Sequence, residues 1–160
     1  MRKYLYLTFL LSILLLVPLN IVIMGDNRGE LIQWAYFTFI ASGFGLSFIN
    51  IITSFEYLLH GVITGKSAVS SILWISGGLL SIFSVLFLIG NINKSRIFLH
   101  ISALVLITAC LFLTSIIIQY GPLFHGPAGV SIPVGLPLMF FLSYWFYSLH
   151  RKNMEGCQEE

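Results

Sequence analysis

Charged side chains are scarce in this sequence. Lysine and arginine together number 8 and aspartate and glutamate 6 among 160 residues, so that 9% of the residues are charged, compared with about 25% in a soluble globular protein. A soluble domain of this length would expose more surface than so few charges can cover. The net charge of +2 also provides no basic surface for nucleic acid, which we therefore exclude as a partner.

Cysteines and catalytic motifs are equally sparse. Cys110 lies inside an apolar run and Cys157 in the polar tail, so the two thiols are expected at different depths and not in a disulfide. The sequence contains no phosphate-binding glycine loop and no H-E-x-x-H, C-x-x-C or G-x-S-x-G pattern. We therefore assign no catalytic residue and expect no cofactor.

Apolar residues, in contrast, make up 58% of the chain and recur in runs of about 20, the length that crosses a bilayer as a helix. They predict an all-α, polytopic integral membrane protein of the cell membrane, a bundle of about five transmembrane helices with no soluble domain. One helical domain covers residues 1–150, and a polar tail covers 151–160. The predicted spans are 4–24, 31–54 with an amphipathic extension to 64, 70–90, 97–120 and 131–149.

The charge bias supports two conflicting orientations. Arg2 and Lys3 precede the first span and an acidic turn follows it, which favours a cytoplasmic N-terminus. Five crossings would then place the basic residues of 94–96 and 151–152 on the opposite side, against the positive-inside rule. The orientation therefore stays open at this point.

The stretch from Leu31 to Lys66 contains the one acidic residue embedded in apolar sequence, Glu56, and His60 follows it by one helical turn. The second half of this stretch has helical periodicity, with apolar residues on one face and polar residues on the other. This pattern fits an amphipathic helix at the membrane interface, or an extension of the second span whose polar face meets other helices.

Small residues at helical spacing predict close packing of helices. Gly43 and Ser47 lie four residues apart in the second span, and Gly77, Ser81 and Ser84 share one face of the third. Such residues allow the backbones of membrane helices to approach each other closely. We therefore expect these five positions to form a helix-packing seam.

Glu56, His60 and His125 form the candidate polar or ion site. Residues at i and i+4 project from the same helix face, and a carboxylate and an imidazole can share a metal ion. With five spans, the connection that carries His125 lies on the same side of the membrane as Glu56. The pattern does not identify a metal, and a simple interfacial hydrogen bond or ion pair between Glu56 and His60 is the favoured interpretation.

Three functions are compatible with these features. The first is a small multi-pass membrane protein without enzymatic activity, which acts as a subunit or interaction partner of a second copy or of another membrane protein. The second is a small transporter or ion-translocating subunit that uses Glu56, and the third is a membrane enzyme or redox protein with a Glu56, His60 and His125 site. The packing seam and the lack of a catalytic motif favour the first.

Overall fold

A six-stranded antiparallel sheet and a layer of long helices form the protein. The computed structural model describes residues 9–10, 12–14, 16–25, 29–43, 45–91, 97–126 and 129–155. The strands are β1 (Asn20–Ile23), β2 (Gly29–Gln33), β3 (Phe37–Ser42), β4 (Gly45–Asn50), β5 (His125–Gly126) and β6 (Gly129–Ile132). The helices are α1 (Ile51–Leu59), α2 (Gly65–Asn91), α3 (Ile97–Tyr120) and α4 (Leu136–Glu155), and the described residues between 9 and 16 are also helical.

The prediction of an all-α helix bundle is wrong. Residues 20–23 of the first predicted span, 4–24, form strand β1, and most of the second, 31–54, forms strands β2, β3 and β4 before helix α1 begins. Within the described residues, only α2 and α3 are long and apolar enough to cross a membrane. The description as a multi-pass helical bundle therefore does not hold for this mixed fold.

The second predicted span has the apolar composition of a membrane helix but the residue pattern of β-strands. Residues 37–42 and 45–50 are two six-residue runs that contain phenylalanine and β-branched residues, and a Gly-Phe sequence separates them. Aromatic and β-branched residues favour strands, and glycine permits the positive φ of a tight turn. Gly45 has a φ of 124°, so the hairpin depends on a residue that a membrane helix would not need there.

The strand order is β4-β3-β2-β1-β6-β5, and every neighbouring pair is antiparallel. Strands β1 to β4 are consecutive along the chain, whereas β5 and β6 join the sheet only after α2 and α3. Gly129 has a φ of 138°, and a Cβ at this position would overlap the carbonyl oxygen of Ile23. The close approach of β6 to β1 therefore requires glycine, and this contact attaches the second half of the chain to the first.

Helices α2 and α3 pack closely against each other at a glycine. A Cβ at Gly77 would lie 2.8 Å from the ring of Phe112, which is fully buried. Phe112 also packs against Trp74, with 4.7 Å between the ring centroids. The core of the helical layer thus lies between α2 and α3.

Helix α4 lies along the other side of α3. Phe98 stacks on Phe146, with 6.2 Å between the ring centroids. Phe9, from the helical residues near the N-terminus, packs edge-to-face on Trp145 at 5.3 Å. The helical layer therefore extends from α2 through α3 and α4 to the N-terminal helical residues.

The sheet lies at one end of this layer, which we call the sheet end. Helix α2 begins there, α3 ends there, and α4 begins there after the backbone of Gly135 donates to the carbonyl of Leu19 at 3.2 Å. The opposite, far end contains the end of α2 at Asn91 and the start of α3 at Ile97. Arg2, Lys3, residues 92–96 and the predicted tail from residue 156 onward lie outside the described residues.

Candidate functional site

The first two candidate site residues lie together on α1 and its C-terminal cap. Both side chains are exposed, and the backbone of His60 donates to the carbonyl of Glu56 at 3.0 Å. Asn50, the last residue of β4, caps the start of α1 by accepting a hydrogen bond from the backbone of Thr53 at 2.8 Å. Glu56 and His60 are thus placed beside the β4 edge of the sheet.

The third candidate, His125, is exposed on β5 at the opposite edge of the sheet. Five strand spacings separate β4 from β5, which is about 24 Å at ~4.8 Å per spacing. The structure therefore does not bring His125 to Glu56 and His60. In the described ranges there is no group of three or more histidine, cysteine, aspartate or glutamate side chains that could hold a metal ion.

The residues of the predicted packing seam fall in two different places. Gly43 and Ser47 lie in the β3–β4 hairpin and on strand β4, so they cannot belong to a helix seam. Gly77, Ser81 and Ser84 are buried on α2. Because two of the five residues belong to a hairpin, the set does not form a continuous helix-packing surface.

Two reciprocal pairs of serines connect the helices. The hydroxyl of Ser70 on α2 donates to the carbonyl of Ser115 on α3 at 3.1 Å, and that of Ser115 donates to the carbonyl of Ser70 at 2.8 Å. Ser102 on α3 and Ser143 on α4 make the same exchange at 2.8 and 2.9 Å. Hydrogen bonds between serines of neighbouring helices are a common means of association in an apolar environment.

The inner face of the sheet, which faces the helices, carries a buried polar cluster. Asn20 is fully buried, donates to Gln33 at 2.9 Å and accepts from the hydroxyl of Ser131 at 2.7 Å. These three residues come from β1, β2 and β6, so the cluster connects three strands. Because an unpaired buried amide is costly, the cluster favours this one register of the sheet.

A cleft lies between this inner face and the sheet end of α2 and α3; we call it the sheet–helix cleft. It consists of two adjacent cavities of about 60 and 220 Å³ that share the lining residues Gln33, Ser70, Ser71 and Ser115. None of the described residues that line it is charged. The cleft is therefore suited to neutral polar groups and not to free ions.

Tyr36, in the turn between β2 and β3, closes the cleft on one side. Its hydroxyl forms a 2.7 Å hydrogen bond with Ser81 of α2. Burial raises the pKa of the Tyr36 phenol, and the bond to Ser81 opposes this rise only in part. Tyr36 therefore stays neutral and holds the β2–β3 turn against α2.

The outer face of the sheet, which points away from the helices, is the feature that the sequence analysis missed. Residues directly opposite each other in neighbouring strands lie on the same face. The register thus defines two rows across five strands, Val130, Ile23, Glu30, Ala41 and Leu46, and Ile132, Ile21, Ile32, Phe39 and Phe48. Only Glu30 among these ten residues is polar, so this outer-face surface is almost entirely apolar.

Much of this apolar surface is open. Leu46 is 74% exposed, Phe48 61% and Ile23 48%, and Glu30 is also exposed. The available signal was the lack of polar–apolar alternation in Ile21–Val22–Ile23 and in Leu31–Ile32, because a strand with one exposed polar face does not carry large apolar residues at successive positions. A scan of protein-family models and a search of curated proteins gave no match to this chain.

Proposed function

We propose that this chain is an integral membrane protein that acts without catalysis, by binding a partner protein through the outer face of its sheet. The observation that carries the proposal is the two-row apolar surface with Glu30 at its centre. Monomeric soluble proteins rarely expose a contiguous apolar patch of more than a few hundred Å². A partner surface that is apolar and places a basic group opposite Glu30 would complement it.

The helical layer supports the membrane location. The most apolar windows of α2 and α3 have mean hydropathies of 2.4 and 2.7, yet only 33% and 44% of their residues are buried. A core helix of a soluble protein would be mostly buried. The outward side of α2 instead exposes a stripe of large apolar residues, Val69, Ile72, Leu79, Ile82, Phe83, Leu86 and Ile89.

The lengths of these helices agree with this location. Helix α2 has 27 residues and α3 has 24, which corresponds to about 40 and 36 Å at ~1.5 Å per residue. A hydrocarbon core of about 30 Å leaves roughly 6–10 Å of each helix beyond it. The sheet packs on the start of α2 and the end of α3, and it reaches along α2 as far as Gly78 and Ser81, where Ala35 and Tyr36 contact the helix.

The charges favour one orientation. Lys94 and Arg96 lie in the connection between α2 and α3, which starts and finishes at the far end, and Arg151 and Lys152 are on the last turns of α4. The described sheet end contains Glu30, Glu56 and Lys66. By the positive-inside rule, the far end lies in the cytoplasm and the sheet lies on the opposite side.

Site-specific crosslinking tests the partner proposal. A photo-crosslinking amino acid at Phe48, on the outer face, should give a protein adduct in intact membranes, and the same amino acid at Leu86, on the outward stripe of α2, should not. The charge reversal Glu30→Lys should weaken the Phe48 adduct several-fold, because the outer face would then repel a basic partner group. An adduct of twice the monomer mass would identify the partner as a second copy.

The proposal fails if no protein adduct forms at Phe48, Leu46 or Ile132. It also fails if Glu30→Lys leaves the Phe48 adduct unchanged while Glu56→Lys, a reversal outside the outer face, removes it. Both charge variants are exposed on the surface, so neither should disturb folding by more than about 0.5 kcal/mol.

A further inference from the structure

The sheet–helix cleft contains polar atoms that the described protein residues leave without partners. The side-chain nitrogen of Gln119 donates to Ser67 at 3.3 Å, but its oxygen is buried with no hydrogen-bond partner among the described residues. The hydroxyl of Tyr120, a residue only 8% exposed, also has no hydrogen bond to the described part of the chain, but it is not one of the fully buried unpaired atoms. Both residues line the larger cavity.

An amide oxygen buried in this way is costly. Leaving it without a donor costs about 1–3 kcal/mol, and rotation of the amide group would only exchange an unpaired acceptor for an unpaired donor. A ligand hydroxyl can satisfy either arrangement, because it both donates and accepts. The lack of charge in the lining disfavours ions, so the chemistry points to a neutral ligand with several hydroxyl groups.

The position of the cleft indicates where such a ligand comes from. Ser67 and Ser71 lie within the first two turns of α2, and Ser115 and Gln119 within the last two turns of α3. If the excess length of both helices lies at the sheet end in the membrane location proposed above, Ser67 and Gln119 are beyond the hydrocarbon, and Ser71 and Ser115 are at its boundary. The cleft therefore opens at the depth of the lipid headgroups.

An apolar groove lies along α2 on the other side of Tyr36. It is lined by Tyr36, Ile82, Val85 and Leu86 and has a volume of about 240 Å³. Tyr36 also lines the smaller cavity of the cleft, so the groove and the cleft are adjacent. Ile82 and Leu86 belong to the stripe that faces the hydrocarbon, where the acyl chain of a lipid is the available apolar occupant.

We infer that the sheet–helix cleft binds the neutral, polyhydroxylated headgroup of a membrane lipid, such as a sugar headgroup, with an acyl chain in the adjacent groove. This inference rests on the membrane location of the proposed function but not on partner binding at the outer face. The headgroup hydroxyls pair with Gln119 and Tyr120, and the sugar ring packs beside the aromatic rings at the cleft. Tyr36, Phe37 and Trp74 are the aromatic residues of the smaller cavity.

The test measures thermal unfolding of the whole chain in lipid nanodiscs by tryptophan fluorescence. Discs of phosphatidylcholine alone are compared with discs that also contain monoglucosyl diacylglycerol, diacylglycerol or phosphatidylglycerol. The glucosyl lipid should raise the midpoint by about 3–6 °C at roughly tenfold excess over its dissociation constant. Diacylglycerol, which lacks the sugar, and anionic phosphatidylglycerol should not.

Three variants connect the shift to the cleft. Gln119→Leu and Tyr120→Phe should each lose most of the glucosyl-lipid shift. Thr114→Val, on an exposed position of the same helix where the hydroxyl bonds only to its own backbone at Cys110, should keep it. Without glucosyl lipid, Gln119→Leu should unfold at the same or a higher temperature than wild type, because it removes the unpaired amide; a purely structural role for Gln119 would lower that temperature.

Several outcomes overturn the inference. One is the absence of a glucosyl-lipid shift in the wild type, and another is an equal shift in Gln119→Leu and Tyr120→Phe. A shift of the same size with phosphatidylglycerol would show that the headgroup chemistry is wrong. If free methyl glucoside in phosphatidylcholine discs reproduced the shift, the assignment to a lipid would be wrong. Crosslinking at Phe48 does not depend on any of these results, so failure of this inference and failure of the partner proposal are distinguishable.

Discussion

The reciprocal serine pair between α3 and α4 permits a quantitative test of how the helical layer is held together. Ser102 and Ser143 are 7% and 5% exposed, and each hydroxyl donates to the carbonyl oxygen of the other residue. Replacing either serine with alanine removes one hydrogen bond between the helices and leaves the other in place. The small loss of volume adds little, because alanine keeps the Cβ.

The expected cost follows from the number of hydrogen bonds lost. Hydrogen bonds between membrane helices are worth about 0.6 kcal/mol on average and at most ~1.7 kcal/mol. Each single variant should therefore lose about 0.6 kcal/mol, and the double variant about 1.2 kcal/mol. Each hydroxyl has one proton and donates it to a carbonyl, so the two hydroxyls do not donate to each other and the 3.3 Å contact between their oxygens contributes little. The losses of the two single variants should therefore add.

Ser84 is the matched control. It is 1% exposed, as buried as the paired serines, but its hydroxyl donates at 2.8 Å to the carbonyl of Leu80 in its own helix. A membrane helix keeps its internal hydrogen bonds when it separates from its neighbours. Ser84→Ala should therefore change the free energy of unfolding by less than about 0.3 kcal/mol.

The assay is reversible unfolding by titration of dodecyl sulfate into mild detergent micelles, monitored by tryptophan fluorescence. The reasoning is refuted if Ser84→Ala costs as much as Ser102→Ala. It is also refuted if Ser102→Ala and Ser143→Ala both leave the unfolding midpoint unchanged.

Two further substitutions test the contacts of α2. Gly77→Ala should destabilise the protein by about 1–3 kcal/mol, because the new methyl group meets the Phe112 ring. Gly90→Ala, which has open space around it, should be neutral or stabilising in the same unfolding titration. Equal effects of the two substitutions would contradict the close approach of α2 and α3. Tyr36→Phe should lower the free energy of unfolding by about 0.5–1.5 kcal/mol, because the hydrogen bond to Ser81 is lost. In a Ser81→Ala background the same substitution should have no further effect. A full additional loss in that background would show that the Tyr36 hydroxyl bonds to another group.

The sequence predicted the long helices better than the sheet, for a physical reason. The predicted span 97–120 covers the same residues as α3, and 70–90 lies within α2, because an uninterrupted apolar run of that length has few other structures available. Residues 31–50 have an equally apolar composition, but they form β2, β3 and β4, which pair with strands that are their neighbours in the chain. Only β1 pairs with a strand far along the chain, β6. The pairing of Ile21 with Ile132 cannot be read from either segment alone.

The candidate site shows the same limit. Glu56 and His60 are neighbours through helical periodicity, and the structure places them so. The position of His125 depends on which edge of the sheet β5 joins. β5 lies at the edge beyond β6, and β6 pairs with β1 through the close approach at Gly129. Successive apolar residues in β1 and β2 indicate that both faces of these strands are apolar. The extent of the outer-face surface and the sheet–helix cleft depend on strand register, which no local pattern of residues predicts.

The membrane location with the sheet outside the cytoplasm is the central claim, and thiol labelling in intact cells tests it most directly. The test uses a chain whose own cysteines are replaced by Cys110→Ala and Cys157→Ser. Leu123 lies at the sheet end and is 86% exposed. In that background, Leu123→Cys should react with a membrane-impermeant maleimide in intact cells. Lys152→Cys, at the far end, should react only after the cells are permeabilised. Labelling of both cysteines under the same condition, or labelling of Lys152→Cys alone in intact cells, would contradict the account.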